Sequence, residues 1–141
     1  MKIYTLHFGK FHFFSNIIFG EINTGVHYNM ELNEQVCELA KAHFGDNRSF
    51  AYISTRTNDY SVDPLVHHIN RYSENLKCVA VVDPNGIKTS AKLESKFYHS
   101  NMLDIFYSLD DALKWVNSIL HKPILAARNY QEPKNLVMSH A

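Results

Sequence analysis

The run of residues 76–82, Leu-Lys-Cys-Val-Ala-Val-Val, constrains the fold more than any other stretch of the chain. It is apolar and rich in β-branched side chains, and it shows no alternation between apolar and polar positions. This pattern is typical of a strand that is covered on both faces, as in a parallel sheet with helices on each side. The run therefore predicts an α/β layer architecture.

The segments around this run supply further strands and helices in alternation. Runs with period two predict strands, and apolar residues three and four positions apart predict helices. Strands are predicted at 2–8, 11–15 and 17–22, from 50 onward, at 76–82 and at 102–107, and helices at 30–44, 63–73, 89–98 and 109–121. The run 17–22 either continues the run before it or pairs with it.

This order of elements predicts a single α/β domain. We expect a mixed sheet of about five strands with about four helices. The strands at Phe50, Lys77 and Met102 are predicted to be parallel, because their connections contain helices. Gly9-Lys10 is predicted to turn the chain between the first two strands, and Gly20 to mark a bulge.

Residues that favour helix ends stand where three of the helices are predicted to begin. Asn29 precedes the first helix, Asp63-Pro64 opens the second, and Ser108-Leu-Asp-Asp111 matches a capping box before the last. Gly45 is predicted to end the first helix. These residues define the helix boundaries more sharply than the apolar pattern alone does.

Composition and charge bound the class of protein. With 141 residues, of which 45% are hydrophobic, the chain suits one domain with a core. Fourteen basic residues balance fourteen acidic ones, so no positive potential would attract nucleic acid or an anionic membrane. No stretch has the length of a membrane span, and His7, Gly9, Lys10 and His12 interrupt any signal-peptide core. We expect a cytoplasmic protein, with a domain at 1–121 and a tail at 122–141 that is mobile or draped on the surface.

The two cysteines, Cys37 and Cys78, each lie in an apolar pattern. Two buried free thiols are favoured over a disulfide, in keeping with a reducing compartment. Neither the cysteines nor Ser54 and Ser61 lie in a nucleophile motif such as Gly-x-Ser-x-Gly. Cys37 is predicted at mid-helix, away from the cationic settings that lower a thiol pKa. The sequence predicts no catalytic residue.

Nine histidines raise the question of a metal site. His67 and His68 are adjacent, so on a helix their side chains would point about 100° apart. His7 and His12 could face each other across the first hairpin, but two ligands are fewer than a site usually needs. No spacing such as His-Glu-x-x-His or Cys-x-x-Cys occurs. The sequence predicts neither a metal nor a cofactor.

The polar loop between the strand at Phe50 and the helix at Asp63 is the candidate site, because ligands and partners often dock where a central strand ends. A cation, an amide and several hydroxyls beside a helix N-terminus suit an anion or a phosphorylated side chain. The alternative is a solvated loop that satisfies its own backbone, with Asp59 as a turn residue and Asp63 as a helix cap. The candidate binding residues are Ser54, Thr55, Arg56, Asn58, Tyr60 and Ser61.

Phenylalanines crowd the predicted N-terminal strands. They are favoured as core residues, and the alternative is that some form a dimer face or line a pocket. Leaving these phenylalanines exposed to water at a sheet edge would cost free energy. If they are exposed, we therefore expect the protein to self-associate through this N-terminal ribbon. The residues concerned are Phe8, Phe11, Phe13, Phe14 and Phe19.

The order of elements and several motifs resemble the STAS superfamily, specifically its SpoIIAA-like branch, over roughly residues 1–121. The N-terminal strands followed by the helix at 30–44 contribute to the resemblance. So do three segments: Ile53-Ser-Thr-Arg56 leading to Asp63-Pro64, Val79-Ala-Val-Val82, and Phe106-Tyr-Ser-Leu-Asp-Asp-Ala-Leu-Lys-Trp-Val116. The last is the most specific. The resemblance implies a single-domain STAS-like mixed sheet with helices.

The resemblance also implies functions. Classical members are non-enzymatic anti-sigma-factor antagonists, switched by phosphorylation of a serine in an Asp-Ser-Ser-Gly context. This chain has Asp59-Tyr60-Ser61-Val62 there, so Ser61 is the position that matches approximately. A protein-interaction or regulatory module with a protein partner is therefore expected. SpoIIAA-like proteins also resemble the lipid-carrying CRAL-TRIO fold, so the alternative is a carrier or sensor of a small apolar ligand. That alternative requires an apolar cavity between sheet and helix.

Overall fold

The computed structural model describes residues 1–71, 73–85 and 102–120. The predicted helix at 89–98 and the predicted tail at 122–141 lie outside the described residues. The strands are β1 (Lys2–Leu6), β2 (Gly9–Phe13), β3 (Ile17–Ile22), β4 (His27–Tyr28), β5 (Phe50–Thr55), β6 (Ser61–Val62), β7 (Leu76–Val82) and β8 (Leu103–Phe106). The helices are α1 (Met30–Phe44), α2 (Pro64–Asn70) and α3 (Leu109–Leu120).

Six of these strands form one mixed sheet in the order β1-β2-β3-β5-β7-β8. The strands β1, β2 and β3 are antiparallel neighbours, whereas β3, β5, β7 and β8 run parallel. The predicted mixed α/β sheet and its parallel strands are confirmed, with one strand more than the expected five. The two-residue strands β4 and β6 pair in parallel outside this sheet.

Helices cover the sheet on both faces. α1 and α2 pack on one face against apolar residues of β2 and β3, and α3 packs on the other against β5 and β7. The side chains of β7 alternate between the two layers, with Cys78 and Ala80 directed to α3 and Val79 and Val81 to the opposite face. The prediction that this strand is buried on both sides is confirmed.

The helix caps are those that the sequence predicted. The Asn29 side chain accepts a hydrogen bond from the backbone N–H of Leu32 at 3.0 Å, and Gly45 ends α1 with a φ of 76°. Asp63 caps α2 through the N–H of Leu65 at 3.0 Å. These contacts explain why α1 spans the residues predicted for it.

The first hairpin differs from the prediction. β1 ends at Leu6, and the turn consists of His7 and Phe8, so β2 begins at Gly9 rather than two residues later. His12 therefore pairs with Ile3 and not with His7. The expected cross-strand histidine pair does not form, because the turn at His7 and Phe8 lies two residues earlier than a turn at Gly9-Lys10 would, which moves the partner of His12 four residues along β1, from His7 to Ile3.

Gly20 has a role other than the predicted bulge. The register of β3 with both neighbours is continuous through Gly20, and the irregular step lies between Phe50 and Ala51. The hydroxyl end of Tyr52 occupies the place where a Cβ at position 20 would stand. Glycine at this position lets the tyrosine lie across β3.

The buried and exposed positions settle two further predictions. The side chains of Phe8, Phe11, Phe13 and Phe19 are buried, as the core interpretation predicted. Both cysteines are free, but Cys37 is exposed, so the prediction of two buried thiols is wrong for Cys37. It lies at a boundary position of α1, which an apolar pattern does not distinguish from the core face.

Candidate functional site

A cavity of about 100 Å³ lies between the sheet and the helices α1 and α2. Its walls are mostly apolar, because strands and helices direct aliphatic and aromatic side chains toward the same space. Polar groups enter it at a few points. The residues that line it include Phe50, Tyr52, Ser54, Arg56, Tyr60, Leu76, Asn33, Ala40, Cys37, His67 and Asn70.

One wall of the cavity changes from apolar to polar along β5. Side chains alternate between faces in a strand, so Phe50, Tyr52 and Ser54 point to the same side. Arg56 follows where the strand ends, and its backbone N–H still donates to the carbonyl of Val82 at 2.9 Å. The polar end of the cavity is therefore the carboxyl end of the central strands, where α/β sheets usually hold ligands.

Three predicted site residues meet at that polar end. The Nε of Arg56 donates to the Ser54 Oγ at 3.1 Å, and the same Oγ lies 3.0 Å from the Tyr60 hydroxyl. The Arg56 guanidinium carbon also lies 5.2 Å from the centre of the Tyr60 ring, within the range of a cation–π contact. Arg56 is only 5% exposed. The arginine is thus a fixed, buried group rather than a solvated loop residue.

Two other predicted site residues hold the loop in place. The Thr55 hydroxyl donates to the carbonyl of Gly20 at 3.3 Å, and the Asn58 amide donates to the carbonyl of Ile22 at 2.9 Å. Both acceptors belong to β3, the strand beside β5. These bonds anchor the loop to the sheet and orient the residues that follow.

Ser61 lies apart from the cavity. It is exposed, and its hydroxyl is 2.7 Å from the Nδ1 of His27 across the β4–β6 pair. Two residues later Asp63 caps α2. The structure therefore places Ser61 on the surface, close to a helix N-terminus, while Ser54, Arg56 and Tyr60 gather inside.

A second polar cluster was not predicted from the sequence. The Nδ2 of Asn33 donates to the Asn70 Oδ1 at 2.9 Å, and the Tyr28 hydroxyl donates to the Asn33 Oδ1 at 3.1 Å. Asn33, Asn70 and the buried His67 all line the cavity. The sequence does contain a pattern that could have identified Asn33: its spacing places it on the same face of α1 as the apolar residues Val36 and Ala40.

The thiols show no sign of activation. Although Cys37 as a whole residue is exposed, it also lines the cavity, and the partial desolvation of its thiol, together with Glu34, raises its pKa. Burial raises the pKa of Cys78 to about 12. A thiol with a raised pKa holds little of the thiolate that acts as a nucleophile. Cys37 lines the cavity but is a poor candidate for covalent chemistry.

The described part of the chain also bears on metal binding and on membrane insertion. In residues 1–71, 73–85 and 102–120, no three histidine, cysteine, aspartate or glutamate side chains are grouped so that they could hold a metal ion. Within the same ranges, no helix combines the length and the apolar character that crossing a membrane requires.

Comparisons with known proteins bear on the fold. No protein-family model matches the chain, and no curated protein matches it. The crystal structure of an uncharacterized protein from the DUF3478 family with a SpoIIAA-like fold, from Shewanella loihica PV-4, is similar with a TM-score of 0.52 and 15% identity. The match covers 82% of this chain and 90% of that chain. At such identity the likeness shows the fold alone, and the chain has the SpoIIAA-like fold that its motifs predicted.

Proposed function

We propose that this protein binds a small, largely apolar molecule in the cavity between the sheet and the helices α1 and α2, and serves as its carrier or sensor. The observation that supports this function is the cavity itself, with apolar walls and a few placed polar groups. Sites for small molecules generally have this composition. In this proposal Ser54, Arg56 and Tyr60 hold the polar part of the ligand.

We also propose that the protein is not an enzyme and needs no cofactor. In support, the cavity-lining Cys37 has a raised pKa, which disfavours the thiolate. Of the described residues that line the cavity, none is an aspartate or glutamate, and His67 is the single candidate for a general base. The two free cysteines support a cytoplasmic location.

A cavity-filling substitution tests ligand binding. Ala40 is buried on α1 and lines the cavity, so Ala40→Phe places a ring in the ligand space. Native mass spectrometry of protein taken from its own cells should show a bound small molecule on the wild type and none on this variant. Ala42 is exposed on the same helix, so Ala42→Phe is the matched control and should keep the ligand. A wild-type protein that carries no small molecule, and takes up none from a lipid extract, would refute the proposal.

A protein-interaction module is the second candidate function. It is supported by an exposed apolar pair on α2, where Leu65 is 57% and Ile69 49% exposed, one helical turn apart. The exposed Ser61 lies beside the start of the same helix. The side chains of Thr55 and Asn58 are hydrogen-bonded to carbonyls of β3, so they are not offered to a partner. Of the loop residues predicted to bind, this proposal keeps Ser61, and it adds the exposed face of α2.

The interaction function has its own test. Leu65→Ser combined with Ile69→Ser should weaken capture of the partner that co-purifies with the wild type, because two apolar contacts are lost. Arg56→Gln should leave that capture unchanged if the partner binds the surface and not the cavity. Self-association through β1, whose Ile3 is exposed at the sheet edge, is a further proposal. Light scattering that shows a monomer at high concentration would remove it.

A further inference from the structure

We infer that the ligand of this cavity is an uncharged molecule with one small polar group, such as a hydroxyl or a carbonyl, on a short apolar body. The inference rests on the proposed function and specifies the chemical class of the ligand. It comes from the arrangement of charge at the polar end of the cavity, where Arg56 and Asp83 follow neighbouring strands and are both buried.

The register of the sheet brings these two residues together. Thr55 of β5 pairs with Val82 of β7, and Arg56 and Asp83 are the next residues along the two parallel strands. The backbone N–H of Arg56 donates to the Val82 carbonyl at 2.9 Å, and that of Asp83 donates to the Phe106 carbonyl at 2.8 Å. Because the sheet bonding continues through both positions, the two backbones are held side by side.

Side-chain direction and burial favour a pair of opposite charges. Paired residues of neighbouring strands direct their side chains to the same face, so Arg56 and Asp83 share the face of the sheet that forms the cavity wall. They are 5% and 2% exposed, and no other lysine, arginine, aspartate or glutamate of the described residues is buried. Buried charges are generally paired, and both residues make further interactions within the protein. In our inference the carboxylate of Asp83 compensates the guanidinium, so this end of the cavity attracts neither an anion nor a cation.

The other polar groups of the cavity wall suit an uncharged ligand. Apart from the compensated arginine, the described residues that line the cavity include no lysine, arginine, aspartate or glutamate. The Ser54 and Tyr60 hydroxyls lie 3.0 Å apart, and the amides of Asn33 and Asn70 are hydrogen-bonded to each other. Hydroxyls and amides both donate and accept hydrogen bonds, as a ligand hydroxyl or carbonyl requires. A charged ligand would lose its hydration here with no opposite charge to replace it.

The volume of the cavity limits the apolar body of the ligand. The cavity has about 100 Å³, which is less than the roughly 150 Å³ of an engineered protein cavity that holds benzene. The enclosed part of the ligand therefore has about five or six non-hydrogen atoms. Phe50 and Leu76, which pair across β5 and β7 at the end away from Arg56, line the apolar part. A chain of about five carbon atoms with one polar end fits this space.

Three ligands with the same chain test the charge of the polar group. 1-Pentanol, pentanoate and pentylamine are titrated into the wild-type protein at about pH 8, and the amide signals are followed by NMR. At this pH the alcohol is neutral, the acid is an anion and the amine is a cation, while imidazole side chains are ordinarily neutral. We expect pentanol to bind about tenfold more tightly than either ion, or better, because only the ions lose the hydration of a charge.

Variants of the two buried charges test the compensation itself. Asp83→Asn leaves the guanidinium without its opposite charge, so this variant should bind pentanoate about tenfold more tightly than the wild type does. Combining Arg56→Gln with Asp83→Asn removes both charges and should restore the preference for pentanol. Asp110 is an exposed carboxylate of α3, so Asp110→Asn is the matched control and should keep the wild-type order of affinities.

The outcomes separate the two proposals. If pentanoate or pentylamine binds the wild type as tightly as pentanol, the uncharged class is overturned while the cavity function stands. If a folded Asp83→Asn variant gains no affinity for pentanoate, the compensation of Arg56 by Asp83 is overturned. If none of the three ligands binds, nor any longer or shorter member of the same series, the cavity is not a ligand site and both proposals fail. The wild-type comparison does not depend on the folding of a variant.

Discussion

Replacing His12 by leucine should make the folding stability of this protein less dependent on pH. His12 lies in β2 between Ile3 and Phe19 of the neighbouring strands, and it is only 4% exposed. Its Nδ1 is buried and has no hydrogen-bond partner among the described residues. Burial, and secondarily the charge of Lys10, lower the pKa of His12 from 6.5 to about 4. The folded protein therefore keeps this imidazole neutral in mild acid.

The size of the effect follows from proton linkage. Because the pKa of His12 is lower in the folded state, the unfolded chain binds more protons as the pH falls below 6.5, and stability is lost down to about pH 4. The loss attributable to His12 is about 2 kcal/mol between pH 7 and pH 5, since each unit of pKa difference is worth about 1.4 kcal/mol. Its limit at lower pH is about 3 kcal/mol.

Urea unfolding at pH 7 and pH 5 measures this loss. The wild type should lose about 2 kcal/mol more than His12→Leu between the two values. His7 is exposed in the turn, so His7→Gln is the matched control and should follow the wild-type curve. Parallel pH dependence of the wild type and His12→Leu would refute the reasoning, because it would mean that His12 titrates alike in the folded and unfolded chains.

Three further predictions concern Gly20, Cys37 and Asn29. Gly20→Ala should destabilise the protein by about 1–3 kcal/mol in urea unfolding, because the Tyr52 ring must move, and the cost should shrink in a Tyr52→Leu background. Maleimide should label Cys37 slowly in the folded protein, because its raised pKa leaves little thiolate, while the buried Cys78 stays unlabelled; equal labelling rates for the two thiols would contradict the burial of Cys78. Asn29→Ala should lower the unfolding free energy by about 1 kcal/mol through loss of the α1 cap, and no change would contradict that role.

The predictable parts of the fold are those that local chemistry determines. α1 spans the predicted residues because Asn29 and Gly45 mark its ends, and β7 does so because a short, β-branched apolar run is typical of a strand covered on both faces. The first hairpin was placed wrongly because Gly9-Lys10 is a stronger turn signal than His7-Phe8, whereas Gly9 lies within β2, opposite Leu6 of β1 and Ile22 of β3.

The candidate site was predictable only in part. Its residues follow from the rule that ligands bind where central strands end, and three of them do meet there. Their burial could not be predicted, because the sequence places Arg56 in a polar loop. In the structure its backbone N–H donates to the carbonyl of Val82, which keeps Arg56 beside the sheet, where it is buried. The cavity depends on how α1, α2 and β5 pack at a distance in sequence. Asn33 was missed for the same reason.

The small pairing of β4 with β6 gives the cavity a size limit. Tyr28 and Val62 are opposite each other in this pair and both line the cavity, and each strand leads directly into a helix that forms a wall. Two backbone hydrogen bonds, from Ser61 to Val26 at 3.0 Å and from Asp63 to Tyr28 at 2.9 Å, join the helix starts. Spreading α1 and α2 apart would break both bonds, at a cost of about 2 kcal/mol, or about thirtyfold in affinity. In the proposed carrier, the β4–β6 pair therefore limits the length of the ligand. For a series of ligands that differ by one methylene at a time, affinity should rise with each methylene and then drop by about that factor at the length that forces α1 and α2 apart.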